Sequence, residues 1–174
     1  MQAQNDPLIF IVDDNFVYNK LIATHLKRNK FQRIECFLSG EECMNNLSKK
    51  PDIVIQDYHM DGMSGIEVLK ESKKRNPTTE FIFLSGDDSY EIAANTIKYG
   101  AYDYLVKDRL AFKKLVEKIR KIQSVKLKNS KNKVGFSSLF KVIIILATRM
   151  IGGLFSPDTW INNRNITPSI KKTD

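Results

Sequence analysis

Residues 52–69 read DIVIQDYHMDGMSGIEVL, and this stretch decides the fold. Ile53, Val54 and Ile55 make a short, β-branched apolar run that ends at Gln56 and Asp57. A run that apolar, bounded by polar residues, reads as a strand covered on both faces. After the Asp61–Gly62 turn, Ser64 to Arg75 carries helical spacing and stops at Asn76–Pro77. Strand, turn and helix make one unit of a layered α/β domain.

The same unit repeats along the chain. Further strands are expected at Leu8–Asp13, Arg33–Phe37, Glu80–Ser85 and Tyr102–Lys107, beside the one at Asp52–Asp57. Helices are expected at Phe16–Asn29, from Ser39 to near Ser48, at Ser64–Arg75, at Tyr90–Tyr99 and at Leu110–Ile122. In the first of these, Val17, Leu21, Ile22 and Leu26 form the expected buried stripe. Ser39 with Glu42 makes a capping box, and Gly100 ends the fourth helix. Five strands alternating with five helices imply a doubly wound, parallel five-stranded sheet with helices on both faces.

Composition narrows the class. The chain has 174 residues, 42% apolar and 28% charged, which excludes wholesale disorder. Its net charge of +8 is concentrated at one end. From residue 124 onward nine basic residues face two acidic ones, a net +7, which leaves +1 for residues 1–123. The basicity therefore says little about the folded part. Cys36 and Cys43, with no paired histidines nearby, exclude a disulfide scaffold or a zinc site and are expected to be buried apolar thiols. MQAQNDPLIF lacks a basic segment followed by a long apolar run, so no signal peptide and a cytoplasmic location are expected.

Ligands of such sheets bind at the carboxyl ends of the strands. Those ends carry Asp13 and Asp14, Asp57, Ser85 and Lys107. Three converging carboxylates repel one another unless a cation intervenes. Mg²⁺ suits them, because it takes one or two protein carboxylates, keeps waters and favours a phosphate oxygen. Lys107 and Ser85 would pair with further anionic oxygens. The set suits a phosphoryl group on a carboxylate, with Asp57 as nucleophile.

The sequence resembles the receiver domain of two-component response regulators. The resemblance rests on FIVDDN at 10–15, VIQDYHMDGMSGIEVL at 54–69, FLSGDD at 83–88 and YDYLVKD at 102–108, and covers residues 6–123. It implies a flavodoxin-like (βα)5 fold and a signalling phosphoacceptor rather than a turnover enzyme. Asp57 matches the residue phosphorylated by a sensor histidine kinase or phosphotransfer protein. Asp14 matches the direct Mg²⁺ ligand, Asp13 the ligand acting through water, and the His59 backbone carbonyl a further ligand. Ser85 and Lys107 match the hydroxyl and lysine that contact the phosphoryl group. Tyr104 matches the aromatic switch partner of Ser85, and Gly65 the glycine at the start of the third helix. Asp61 after Met60 and Asp108 after Lys107 stand where the family often has proline.

The implied partners are the kinase or phosphotransfer protein and a downstream protein target. A homodimer through the fourth helix, fifth strand and fifth helix is a further expectation, and no specific nucleic acid is expected. A phosphohydrolase working through an aspartyl phosphate is the rival reading. It places a second acid two residues past the nucleophile, where this chain has His59.

Beyond the receiver domain (1–123), residues 124–135 read as a basic linker and 156–174 as a polar, disordered tail. Residues 136–155 read as an amphipathic or hydrophobic helix, interrupted by Lys141 and Arg149. Three readings stay open for it: lying on a membrane or on protein, spanning a membrane at a cost for two cations, or a disordered output remnant.

Overall fold

The computed structural model of the protein describes residues 6–129. Strands β1 (Ile9–Val12), β2 (Ile34–Phe37), β3 (Ile53–Gln56), β4 (Glu80–Ser85) and β5 (Asp103–Val106) form one sheet in the order β2-β1-β3-β4-β5, parallel throughout. Helices α1 (Phe16–Arg28), α2 (Gly40–Asn46), α3 (Gly65–Arg75) and α4 (Tyr90–Lys98) connect them, and residues 111–129 form α5. The described residues up to Lys126 make one compact unit, and a second begins at Leu127. The doubly wound, flavodoxin-like architecture read from the sequence is the one present.

Register sets the rim. Val12 pairs with Gln56 across β1 and β3, and the ladder runs one step further. The Asp57 N–H donates to the Val12 carbonyl at 2.8 Å, and the Asp13 N–H to the Phe37 carbonyl at 3.2 Å. At the other edge the Lys107 N–H donates to the Ser85 carbonyl at 2.7 Å. The residues just past each strand are thus held level with one another by backbone bonds.

Strand alternation divides the core. Ile9, Ile11, Ile53, Ile55, Ile82 and Leu84 face α1 and α5, meeting Ile22, Leu26, Leu115 and Ile119. Phe10, Val12, Val54, Phe81 and Phe83 face α2 and α3, meeting Cys43, Val68 and Leu69. Each of these large side chains contributes about 1.5–3 kcal/mol by leaving water. The helices start on polar caps. Asn15, Ser39, Ser64 and Ser89 accept from the N–H groups of Tyr18, Glu42, Glu67 and Ile92. Such caps contribute about 1 kcal/mol each.

Three expectations change. In α1 the buried residues are Asn19, Ile22, Ala23 and Leu26, whereas Val17 is 66% and Leu21 50% exposed. The stripe turns because Asn19 is drawn inward, its amide donating to the carbonyls of Asp13 (3.2 Å) and Phe37 (2.8 Å). Next, Cys36 is half-buried rather than sealed, while Cys43 is buried. Finally, α5 passes Ile122 and occupies residues 124–129, the start of the expected linker. No Gly or Pro interrupts 111–129, and the Lys126 ammonium reaches the Asp52 carbonyl (3.0 Å) and Oδ1 (3.3 Å). Among the described residues no helix is long and apolar enough to cross a membrane. The remainder of the linker, the helix expected at 136–155 and the tail at 156–174 lie outside the described residues.

Candidate functional site

The carboxylates of Asp13, Asp14 and Asp57 converge at the carboxyl ends of β1 and β3, with ligand oxygens all within 4.8 Å of one another. Asp13 and Asp57 are buried, and Asp14 is exposed. Lys107, just past β5, inserts its ammonium between the two buried acids. It lies 2.8 Å from Asp13 Oδ2 and 3.0 Å from Asp57 Oδ2. The second Asp57 oxygen accepts the Tyr58 N–H at 2.8 Å, and Asp13 Oδ1 accepts the Asn15 N–H at 2.9 Å.

Burial lifts the Asp57 carboxyl above its ordinary value, with the Lys107 ammonium opposing. Burial would lower Lys107, but its hydrogen bond to Asp13 and the field of Asp57 outweigh that, so it is held above its ordinary value. The acid stays buried because this cation stands beside it. Three hard oxygen donors around one point, one of them exposed, fit a divalent ion that keeps part of its water shell, as Mg²⁺ does. The loop after β3 closes over this side, where the Asp61 N–H reaches Asp14 Oδ2 at 3.4 Å. A cavity of about 520 Å³ opens next to it, with His59, Met60 and Asp61 in its wall.

Gly65 explains how α3 sits so near the acceptor. A Cβ there would lie 2.4 Å from the Asp57 carbonyl oxygen, closer than real Cβ contacts allow. Gln56 grips the same carbonyl from its own side chain at 2.8 Å. Asp108, in place of the family's frequent proline, accepts the Leu110 N–H at 2.8 Å and pairs with Lys114, so it serves the start of α5. Among the described residues no peptide bond is cis.

Ser85 and Tyr104 form a second group around Asp87. The Ser85 hydroxyl accepts the Asp87 N–H at 3.2 Å, and the Tyr104 hydroxyl donates to the Asp87 carbonyl at 2.7 Å. Burial raises the Tyr104 phenol, and the neighbouring Ser85 hydroxyl opposes that. Asp87 Oδ1 accepts the Ser89 N–H at 2.8 Å, and its Oδ2 lies 3.6 Å from the exposed His59 imidazole. Asp87 is therefore a hub linking β4, β5, the start of α4 and the loop after β3. The sequence assigns no role to Asp87, which lies within FLSGDD, nor to Tyr18, Asn19 or Gln56. Polar residues in an apolar strand (Gln56) and on the inner side of a helix (Asn19) were the visible signals; Asp87 carried none.

Residues 9–120 match the family described as response regulator receiver domain. A putative response regulator NtrX-like protein of Rickettsia conorii is 36% identical over 105 residues, 57% of this chain and 21% of that protein. The uncharacterized transcriptional regulatory protein YesN of Bacillus subtilis is 44% identical over 70 residues, 40% of this chain and 19% of that protein. The chain spans about a fifth of the length of these curated relatives. Among solved structures, the Francisella response regulator 1452 receiver domain superposes with a TM-score of 0.62 at 26% identity, covering 69% of this chain and 98% of that one. A response regulator receiver domain protein from Clostridium thermocellum gives a TM-score of 0.63 at 26% identity, covering 68% and 94%.

Proposed function

The chain belongs to the response regulator receiver family, and from that premise we propose that Asp57 is the phosphoacceptor of a two-component phosphorelay. The donor is a phosphohistidine on a sensor histidine kinase or phosphotransfer protein. An Asp57 carboxylate oxygen attacks phosphorus, the P–N bond breaks, and the imidazole leaves with its electron pair. The chain thereby catalyses only its own phosphorylation and, by later hydrolysis of the acyl phosphate, its dephosphorylation. The observation that carries this reading is the Lys107 ammonium held between Asp13 and Asp57 at the rim.

Each residue has a task. Tyr58 N–H orients one Asp57 oxygen, which leaves the carboxylate aimed by its partners rather than rotating freely. Lys107 moves from the carboxylates toward a phosphoryl oxygen and neutralises it. Asp13, Asp14, Asp57 and the His59 backbone carbonyl would hold Mg²⁺, which supplies positive charge to the transferring group. Ser85 donates a hydrogen bond from its hydroxyl to another phosphoryl oxygen. That movement frees the Asp87 N–H it now holds, and with it the loop anchored by Tyr104. A downstream protein that prefers the released α4–β5 face shifts the population toward it.

Intact-mass measurement tests this. With Mg²⁺ and acetyl phosphate the chain should gain one phosphoryl group, and Asp57→Asn or omission of the metal should abolish the gain. Full labelling of Asp57→Asn would overturn the assignment. Continuous release of free phosphate from small phosphomonoesters would favour the hydrolase reading instead.

A further inference from the structure

Two neighbours of the Lys107 ammonium are the carboxylates already described; a third is an aromatic ring. The Tyr18 ring centroid lies 4.5 Å from Lys107 Nζ, within cation–π range. Tyr18 sits in the first turn of α1, and the amide of that same residue is fixed by the Asn15 cap at 3.0 Å. Asn15 in turn donates its N–H to Asp13 Oδ1, while Lys107 holds Asp13 Oδ2. Asp13, Asn15, Tyr18 and Lys107 thus form a closed circuit of contacts around the rim. Phe112 of α5 braces the ring, with centroids 5.6 Å apart.

We propose that Tyr18 is a positioning residue for Lys107, its ring face holding the ammonium at the acceptor while the anionic partners change. The kinetic part of this rests on the reading of Asp57 as phosphoacceptor. An ammonium on a flexible four-carbon stem has three rotatable N–H donors, and the carboxylates of Asp13 and Asp57 both accept from it. When Asp57 becomes an acyl phosphate, one of those bonds must be exchanged for a phosphoryl oxygen. A ring quadrupole attracts a cation without demanding a particular N–H direction, so it tolerates that rotation. A carboxylate in its place would tolerate it less and would add a fourth negative charge. Packing against Phe112 keeps the ring half-buried. Burial also raises the Tyr18 phenol, with Lys107 as the first opposing influence, in keeping with a neutral ring beside a cation.

A residue present only to fill space would be replaced equally well by leucine; one that acts through its π face would not. The experiment compares the wild-type chain with Tyr18→Phe and Tyr18→Leu. In NMR spectra the Lys107 ε-methylene protons should be shifted upfield by the ring current in wild type and in Tyr18→Phe, and should return to ordinary lysine positions in Tyr18→Leu. With acetyl phosphate and Mg²⁺, the maximal rate of Asp57 phosphorylation should fall between about two- and thirty-fold in Tyr18→Leu, the range a cation–π contact supplies. Tyr18→Phe should restore it to within about twofold, since a ring of similar quadrupole remains. If Tyr18→Leu does not fold, Tyr18→Met serves as the aliphatic variant. Wild-type rate and unchanged Lys107 resonances in the aliphatic variant would overturn the proposal, and so would an equal loss in Tyr18→Phe. If the wild-type chain takes up no phosphoryl group, the Asp57 reading fails while the Lys107 resonances still decide whether the ring holds the ammonium.

Discussion

Helices α4 and α5 both lie next to β5, yet they are held in different ways. Ala111, Leu115 and Ile119 of α5 are fully buried in the core beneath the sheet, and Lys118 pairs with Asp103 of the edge strand. Among the described residues, α4 buries only Thr96, and neither hydrophobic cluster contains one of its residues. Tyr90 is 86% and Ile97 47% exposed. What secures α4 is polar: Asp87 at its entrance, gripped by Ser85, Tyr104 and Ser89. A helix held by hydrophobic burial is released only by unfolding, whereas one held by a few hydrogen bonds is released when those bonds are exchanged. The element beside Ser85 is the one whose attachment is cheapest to change.

Substitutions in the two helices and around them separate these modes of attachment. Leu115→Ala should cost about 2–5 kcal/mol of unfolding free energy, because it opens a cavity under the sheet. Urea titration would show it as a lower midpoint at unchanged slope, and a loss below 1 kcal/mol would mean that α5 is not the fixed partner. Gly65→Ala should come next, at about 1–3 kcal/mol, since its Cβ meets the Asp57 carbonyl and α3 must withdraw. Reduced labelling of Asp57 should accompany the stability loss.

Tyr104→Phe removes the bond to the Asp87 carbonyl and should cost about 0.5–1.5 kcal/mol. Hydrogen exchange should quicken in α4 and stay unchanged in α5. Equal acceleration in both would show that the two helices are not separately held.

Cys43 tests whether looseness extends to the face covered by α2 and α3. Burial pushes its thiol up to about 12, from an ordinary value of 9.0. The folded state thus favours the protonated thiol. Its contribution to stability is complete below the ordinary value and is lost as pH rises from 9.0 toward about 12. Alkaline destabilisation should therefore be shallower in Cys43→Ala than in wild type, and the native thiol should resist alkylation at pH 8. Rapid native alkylation would mean that the whole face opens. The smallest effect belongs to Ile97→Ala on α4, within about 0.5 kcal/mol of wild type, as for an exposed site without partners in the core.

Much of this was legible in the residues. Apolar runs of about strand length, capped amphipathic segments and Gly or Pro stops are local signals, and they act over distances that the chain itself spans. They sufficed for five strands, five helices and a parallel sheet, and hence for the convergence of Asp13, Asp14, Asp57 and Lys107 at one rim. The α1 stripe held at Ile22 and Leu26 and failed at Val17 and Leu21, because Val17–Leu21 and Asn19–Ala23 are competing faces of one helix. Periodicity shows that a helix is amphipathic, and a buried Asn19 bonding two carbonyls of other segments decides which face turns in.

The fold class and the inventory of charged groups at the strand ends follow from the residues, because hydrophobic period and the order of elements along the chain require no knowledge of neighbours. Tertiary structure alone decided which of those groups are paired and by what. Tyr18 reaches Lys107 across 89 positions of sequence, and Tyr104 reaches Asp87 across 17. Such contacts depend on the register of β1, β3 and β5 and on how closely α1 and α5 pack, to within an ångström. Hydrogen bonds and cation–π contacts weaken steeply over that distance, while the patterns that specify helices and strands do not register it.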